Sequence, residues 1–379
     1  MNPNTQAALE RIRGTKKPTR PSVQRLAAFA NVHRCPTATV AFAAGVDTNR
    51  LFGQSPYQMP FGQSPFAIGR GLGFEGLLRA QGHAELRRVL GEGLGADFTT
   101  AGVHNLRDGY TPDLNGLKLK AKTTKGHLIT IAGTGGQVVI DGAVLRANVG
   151  GIDSYLEADE VAIGVNGQIV VGENKSWPIV DGRPTDPDAF GSALDQAATY
   201  ILLTRRTLEA AGLDPNIVSG EAILITPTNT GLTPTLHRQD VEVRVRRARR
   251  LLDQVPHVDD IAAGVGAAVT FKQVGDTTLD ADRRLHAFEK ATSTIGRLYD
   301  PGSCLASCGF AWACRTCAYG QGDPAIAGAT IVRAAPGITN LARIADLAAG
   351  ATPNGDEALA APTLERAGRL FDDALRRSA

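Results

Sequence analysis

The order of apolar and polar positions divides the chain into three stretches. Near the start, Ser22-Val-Gln-Arg-Leu-Ala-Ala-Phe-Ala-Asn-Val spaces its apolar residues three and four apart behind a serine, which predicts a short helix with Ser22 as N-cap. Residues 52–66 follow with Phe-Gly-Gln-Ser-Pro written twice, a Gly- and Pro-rich loop too short to imply a repeat fold. Residues 73–92 then set Phe74, Leu77, Leu78, Leu86 and Leu90 on one side of an amphipathic helix. From about 117 to 180 short β-prone runs alternate with glycine-rich turns: Leu128-Ile-Thr-Ile-Ala, Val138-Val-Ile, Val161-Ala-Ile and Ile169-Val-Val. The last two are joined across Asn166-Gly167, a dipeptide suited to a tight type I′ turn, and so predict a β-hairpin. The third stretch holds a helix at about 188–211 ended by Gly212, the strand Ala222-Ile-Leu-Ile, a basic helix at about 239–254, and further helices on either side of a cysteine-rich segment. Strands bracketed by helices in this order predict an α/β protein, a central mixed β-sheet flanked by helices, with helical additions at both ends.

Four segments are expected from these patterns. Residues 1–21 read as a flexible basic leader without the apolar core of a secretory signal, 22–98 as an N-terminal helical region, 99–275 as the core, and 276–379 as a C-terminal helical region. With 379 residues, 43% hydrophobic and 21% charged, the chain has the makeup of a globular protein with a substantial core and not of a disordered one. A net charge of +2 requires any nucleic-acid partner to be held by a local patch. No apolar run approaches the roughly 20 residues needed to cross a bilayer, so a cytoplasmic protein is expected.

The most informative chemistry lies in the predicted hairpin. Asp159 stands at the start of its first strand, and Glu173 and Lys175 at the end of its second. Side chains two apart on a strand leave the same face, and the fold-back brings Asp159 to them. Two carboxylates and an ammonium at one point suit phosphodiester hydrolysis: hard oxygens hold Mg²⁺ or Mn²⁺, and a lysine offsets charge building on phosphorus. An isolated Glu-x-Lys is most often an exposed ion pair, but here an apolar strand leads directly into Glu173. About twenty residues on, Gln196 and Tyr200 are four apart on one helical face.

Asp159, Glu173, Lys175, Gln196 and Tyr200 together resemble the PD-(D/E)XK nuclease superfamily, and more narrowly its RecB-like branch, in which Asp…Glu-x-Lys is followed by Gln-x-x-x-Tyr. The resemblance implies a restriction-endonuclease-like core and a Mg²⁺- or Mn²⁺-dependent deoxyribonuclease, an exonuclease rather than an endonuclease, acting on single-stranded DNA or DNA ends. It implies Asp159 and Glu173 as metal ligands, Lys175 as the catalytic lysine, and Gln196 and Tyr200 as site support or DNA contacts. Asp153, in Gly150-Gly-Ile-Asp153, also resembles the family aspartate; the 14-residue step from Asp159 to Glu173 fits a single hairpin better. An earlier acidic or histidine residue often completes such sites, and here the candidate is Glu75, with His83 as alternative; on its own, Glu75 reads equally as a first-turn helix carboxylate.

Of five cysteines, Cys304, Cys308, Cys314 and Cys317 fall within 14 residues and Cys35 stands far away. Such crowding in an odd-numbered set indicates metal or cluster ligation in a reducing compartment. The four distal thiols could bind Zn²⁺ or a cluster by themselves, or Cys35 could close a [4Fe–4S] cluster with three of them. The second arrangement resembles iron–sulfur nucleases of the same branch, the CRISPR-associated RecB-like exonucleases and AddB-type nuclease domains, which place one cysteine before the core and three after it. That resemblance implies Cys35, Cys304, Cys308 and Cys314 as ligands, although Cys304-x3-Cys308 departs from the commoner two-residue step. The cluster would staple the helical additions.

DNA is the expected partner, with protein partners in a repair, CRISPR-adaptation or defence complex and no membrane. Arg244, Arg246, Arg247, Arg249 and Arg250 on the basic helix form either a solvated face or a phosphate-binding one, and Trp177 either packs in the core or stacks on a base. Gly133-Thr-Gly-Gly-Gln lacks the Gly-Lys-Ser/Thr of a P-loop, and Gly69-x-Gly71-x-Gly73 follows no strand. A non-catalytic DNA-binding or assembly subunit and a zinc-stabilised structural protein are the competing expectations.

Overall fold

The computed structural model describes residues 1–60, 65–134, 136–165, 167–228 and 231–378. The protein is a mixed α/β protein whose four expected segments regroup into two compact units. One comprises Met1–Thr19, Asn31–Phe61 and Val258–Ala379; the other Arg20–Ala30 and Gly62–His257. Among the described residues no helix is long and apolar enough to cross a membrane.

The N-terminal elements are α1 (Pro3–Arg13), α2 (Val23–Val32) and α3 (Pro36–Ala43). Residues 1–21 are therefore not a flexible leader: Asn2 caps α1, and Leu9 and Ile12 are buried. Ser22 caps α2, accepting from the Arg25 N–H at 3.1 Å.

The second unit holds helices α4 (Pro65–Leu94), α5 (Leu114–Thr134), α6 (Pro187–Glu209) and α7 (Glu242–Gln254). Its strands are β1 (Gly102–Asn105), β2 (Val138–Asp141), β3 (Val144–Val149), β4 (Ile152–Glu157), β5 (Glu160–Val165), β6 (Gln168–Asn174), β7 (Ile179–Val180), β8 (Arg183–Pro184), β9 (Val218–Pro227) and β10 (Pro234–Asp240). Six of them form one mixed sheet in the order β1-β2-β5-β6-β9-β10, with β1/β2 and β6/β9 parallel and the other neighbours antiparallel. The hairpin β5–β6 pairs Glu160 with Gly172 and Val165 with Gln168; Asn166, in its expected turn, lies outside the described residues, while Gly167 takes the left-handed φ of +76° that such a turn demands.

Alternation along the strands decides which helix covers which face. Val139, Val170, Ile223 and Ile225 pack against Phe74, Leu78, Leu86 and Leu90 of α4. The opposite face of β6 and β9 is covered by α6, whose Ala197, Ile201 and Leu208 are fully buried. Two expectations need correction. Leu128-Ile-Thr-Ile-Ala is not a strand but the last part of α5, whose Leu128 and Ile131 are buried at helical spacing. The helix expected over 73–92 begins earlier and is interrupted: Gln81, Gly82 and His83 all adopt positive φ, at 51°, 67° and 68°.

The first unit is completed by α8 (Val258–Gly264), α9 (Ala281–Ile295), α10 (Pro301–Ser307), α11 (Ala311–Gly320), α12 (Ala329–Ala334), α13 (Leu341–Ala348) and α14 (Ala361–Ser378). Its core is aromatic. Phe52, Phe271, Phe288 and Phe310 form a chain of ring contacts 5.1–5.6 Å between centroids, and buried Arg284 donates to the Val274 and Leu51 carbonyls beside them.

Gly164 marks where β5 meets the end of α5: a Cβ there would lie 1.9 Å from the Gly136 carbonyl oxygen. Gly164→Ala is expected to destabilise the protein by about 1–3 kcal/mol, the cost of overpacking a site whose neighbour is backbone. Denaturant unfolding that gave the wild-type midpoint would contradict this packing.

Candidate functional site

The parallel pair β6/β9 runs through the middle of the sheet, and its residues Ile169, Val171, Ala222, Ile223, Leu224 and Ile225 exclude water. Glu173 continues this apolar row and is 2% exposed. The ladder carries one step past β6, where the Lys175 N–H donates to the Ile225 carbonyl at 3.0 Å, so Lys175 keeps strand geometry and leaves on Glu173's face. Its ammonium lies 2.5 Å from Glu173 Oε2, 3.4 Å from Gln196 Oε1 and 3.6 Å from Asp159 Oδ2. Asp159, just ahead of β5, accepts from the Asn174 N–H at 3.2 Å, which binds its carboxylate to the end of β6.

Helix α6 holds this constellation at two points one turn apart. Gln196 meets Lys175, and the buried Tyr200 hydroxyl donates to the carbonyl oxygen of Glu157, two residues before Asp159. Of the residues expected from the sequence, Asp159, Glu173, Lys175, Gln196 and Tyr200 thus stand together. Asp153 does not: it lies on β4 in the separate two-stranded sheet, exposed and bonded to Arg146 at 2.7 Å and Asn148 at 3.2 Å. Trp177 packs edge-on against Phe190.

Glu75 and His83 join through residues that sequence reasoning missed. Glu75 pairs with Arg79 at 2.6 Å, and Arg79, His83 and Arg107 all converge on Asp141, which is wholly buried at the end of β2. Arg107 bridges onward, its Nε 2.6 Å from Asp141 Oδ1 and its Nη2 3.3 Å from Asp159 Oδ1. Charges of alternating sign therefore run from Glu75 through Arg79, Asp141, Arg107 and Asp159 to Lys175 and Glu173, with Glu75 at the far end from the lysine. Asp141 was findable: Val138-Val-Ile-Asp141 repeats the pattern of an apolar strand ending in an acid that drew attention to Glu173. Arg107, in a loop, carries no such signal.

Burial pushes the Glu173 carboxyl up to about 8, with Asp159 adding to the rise and Lys175 opposing it. For Lys175 burial alone would lower the ammonium, but Glu173 and Asp159 outweigh it and hold it above its ordinary value. Burial likewise works against ionised Asp141, yet Arg107, with His83 and Arg79, keeps that carboxyl below the usual range.

In the other unit, Cys35, Cys304, Cys308 and Cys314 lie within electrostatic reach of one another, whereas Cys317 faces Arg297 and Glu289. The Leu298 and Asp300 N–H groups point at the sulfurs of Cys35 and Cys304, each at 3.5 Å, and Phe310 donates its N–H to Cys308. Burial pushes Cys308 up to about 12 and Cys314 well above its ordinary value.

Among the described residues no group of three or more His, Cys, Asp or Glu side chains stands close enough together to hold a single metal ion as it is. In the acidic site Lys175 and Arg107 bond oxygens of Asp159 and Glu173. The donor chemistry nonetheless fits. Asp159 and Glu173 supply hard oxygens suited to Mg²⁺ or Mn²⁺, and Asp159 is partly open to solvent. Four thiols with backbone N–H groups aimed at three of them suit a cluster, which spans more than a single ion and holds its cysteines further apart. No protein-family model, no curated protein and no solved structure matches the chain.

Because Glu173's folded value lies above the roughly 4.3 of a free glutamate, folding favours its protonated form. The stability this gives is complete below the unfolded value and is lost as pH rises through about 8. Wild-type Tm is expected to fall between pH 5 and about 8 in chelator, and Glu173→Gln to flatten that fall. Parallel pH–Tm curves for the two proteins would refute the assignment.

Proposed function

We propose that the protein is a divalent-metal-dependent nuclease of the RecB-like kind, with a restriction-endonuclease-like core in its second unit and a [4Fe–4S] cluster in its first. One observation carries the reading: a lysine ammonium within hydrogen-bond reach of a carboxylate buried in a central strand, with a second carboxylate and a glutamine at its other contacts. An exposed ion pair has no need of burial or of a helix dedicated to orienting it, and the geometry fits a site that handles charge away from water.

Asp159 and Glu173 are the residues to hold Mg²⁺ or Mn²⁺, which when bound supplies Lewis-acid polarisation of a phosphoryl oxygen and lowers the pKa of water. The chain's own side chains do the rest. Lys175, kept charged by its two carboxylates, offers a proton donor and positive charge where negative charge develops on phosphorus. Gln196 fixes its direction, Tyr200 fixes the backbone ahead of Asp159, and Arg107 holds Asp159 against Asp141. DNA, single-stranded or at an end, is the proposed substrate.

Lys175→Ala and Glu173→Ala are each expected to lower Mn²⁺-dependent cleavage of end-labelled single-stranded DNA by about a hundredfold or more, with folding intact by circular dichroism. Wild-type rates in either would end the catalytic reading and leave a non-catalytic DNA-binding subunit, which the prior occupation of both carboxylates by cations would then explain.

Cys35, Cys304, Cys308 and Cys314 are the proposed cluster ligands, and within the first unit they tie the start of α3 to α10 and α11. Protein purified without oxygen is expected to be brown and to hold iron and inorganic sulfide in equal amounts. Alanine at any of the four removes both, while Cys317→Ala retains them. Stoichiometric zinc in place of iron would favour the zinc-stabilised structural protein.

A further inference from the structure

On the second unit, a groove of about 360 Å³ runs between α5, the β3–β4 hairpin and the end of α6. Lys118, Lys122 and Lys125 line it from α5, Arg146 and Tyr155 from the hairpin, and Arg206 from α6. None of these belongs to the acidic site. The three lysines are four and three residues apart, so they project from one face of the helix, and all are exposed. Two carboxylates offset part of this charge: Asp153 bonds Arg146 at 2.7 Å, and Asp253 bonds Arg206 at 2.6 Å. Among the described residues the lysines make no salt bridge, so the groove is left with a cationic surplus. Its floor is apolar, formed in part by the buried Val144 and Leu145. Tyr155, half-buried and paired across the hairpin with Arg146, sets an aromatic ring among the cations.

We infer that this groove is a track for single-stranded nucleic acid. Lys118 to Lys125 spans roughly 10 Å of helix axis at about 1.5 Å per residue, or about three phosphate spacings of a stacked strand. A ring beside such a row offers a stacking platform for an unpaired base, which a duplex cannot present. An acidic peptide would satisfy the lysines but would leave the ring and the apolar floor unused. The choice of nucleic acid as ligand rests on the nuclease reading above; the surplus charge and the ring do not.

The test is fluorescence anisotropy of the full chain with labelled oligothymidylate in chelator, where binding is read without cleavage. Lys118→Gln/Lys122→Gln/Lys125→Gln is expected to weaken binding at least about tenfold and to reduce the slope of log affinity against log salt by about 2, near 0.7 per lost contact. Tyr155→Ala is expected to weaken it about tenfold while leaving that slope unchanged. Affinity is read in chelator, where the acidic site does not cleave, so a loss of cleavage there and a loss of affinity here are separate readings. Wild-type affinity and salt slope in the triple variant would overturn the inference. So would a poly-glutamate peptide that binds as tightly as the oligonucleotide and competes with it, which would assign the groove to an acidic protein segment.

Discussion

A carboxylate has been placed inside the most water-free part of a β-sheet, and the second unit is organised around making that tolerable. An unpaired ion there would cost several kcal/mol, and charges this deep are retained only with a partner of good geometry. Glu173 has one in Lys175, and the pair exists because the β6 ladder continues one residue beyond the strand's end. The ammonium is shared with Asp159 and Gln196, so removal of any one partner leaves the others incompletely satisfied. This explains why α6 must cross β6 and β9 where it does: a shift of one helical residue would take Gln196 off the lysine and Tyr200 off the Glu157 carbonyl together.

The same logic extends outward. Asp141 ends β2 as Glu173 ends its apolar row, and since β5 lies between β2 and β6 the two acids flank the start of β5, where Asp159 sits. Like charges so placed repel, and Arg107 and Lys175 between them convert repulsion into a chain of alternating sign. Asp141 needs three donors because it is as deeply buried as Glu173 and has no lysine of its own. The difference shows in the direction of each group: Asp141 is held ionised, while Glu173 is driven toward its neutral form. Two carboxyls of one network are thereby pushed in opposite directions, Asp141 down by its three donors and Glu173 up by burial and by Asp159.

How much of this the sequence disclosed depends on the range of the interaction. The β5–β6 hairpin is local, fixed by alternation and an Asn-Gly pair, and with it came the neighbourhood of Asp159, Glu173 and Lys175. Gln196 and Tyr200 were legible because four-residue spacing survives folding. Asp141 carried a local signal, an apolar strand ending in an acid, but Arg107 did not, since nothing in its local pattern says that β1 runs beside β2 and brings a loop arginine onto that acid. Leu128-Ile-Thr-Ile-Ala misled because a β-branched run satisfies strand propensity, whereas burial of Leu128 and Ile131 at helical spacing decided the outcome. The leader misled similarly: its polar composition hid Leu9 and Ile12, two apolar residues three apart that suffice to dock one helical face.

The break in α4 is the clearest sign that the acidic network was worth backbone strain. Gln81 and His83 are not glycines, yet both sit in the left-handed region, at a cost of order 1 kcal/mol or more each. A continuous helix would avoid that cost and would carry His83 round with the helical twist. The left-handed segment instead turns the imidazole inward, where its Nε2 lies 3.0 Å from Asp141. Glu75 and Arg79, one turn apart before the break, reach the same network from the regular part of the helix. Within the second unit, α4 thus contributes apolar packing through Phe74, Leu78, Leu86 and Leu90 and polar contacts through Arg79 and His83, and the strain lies where those two tasks meet.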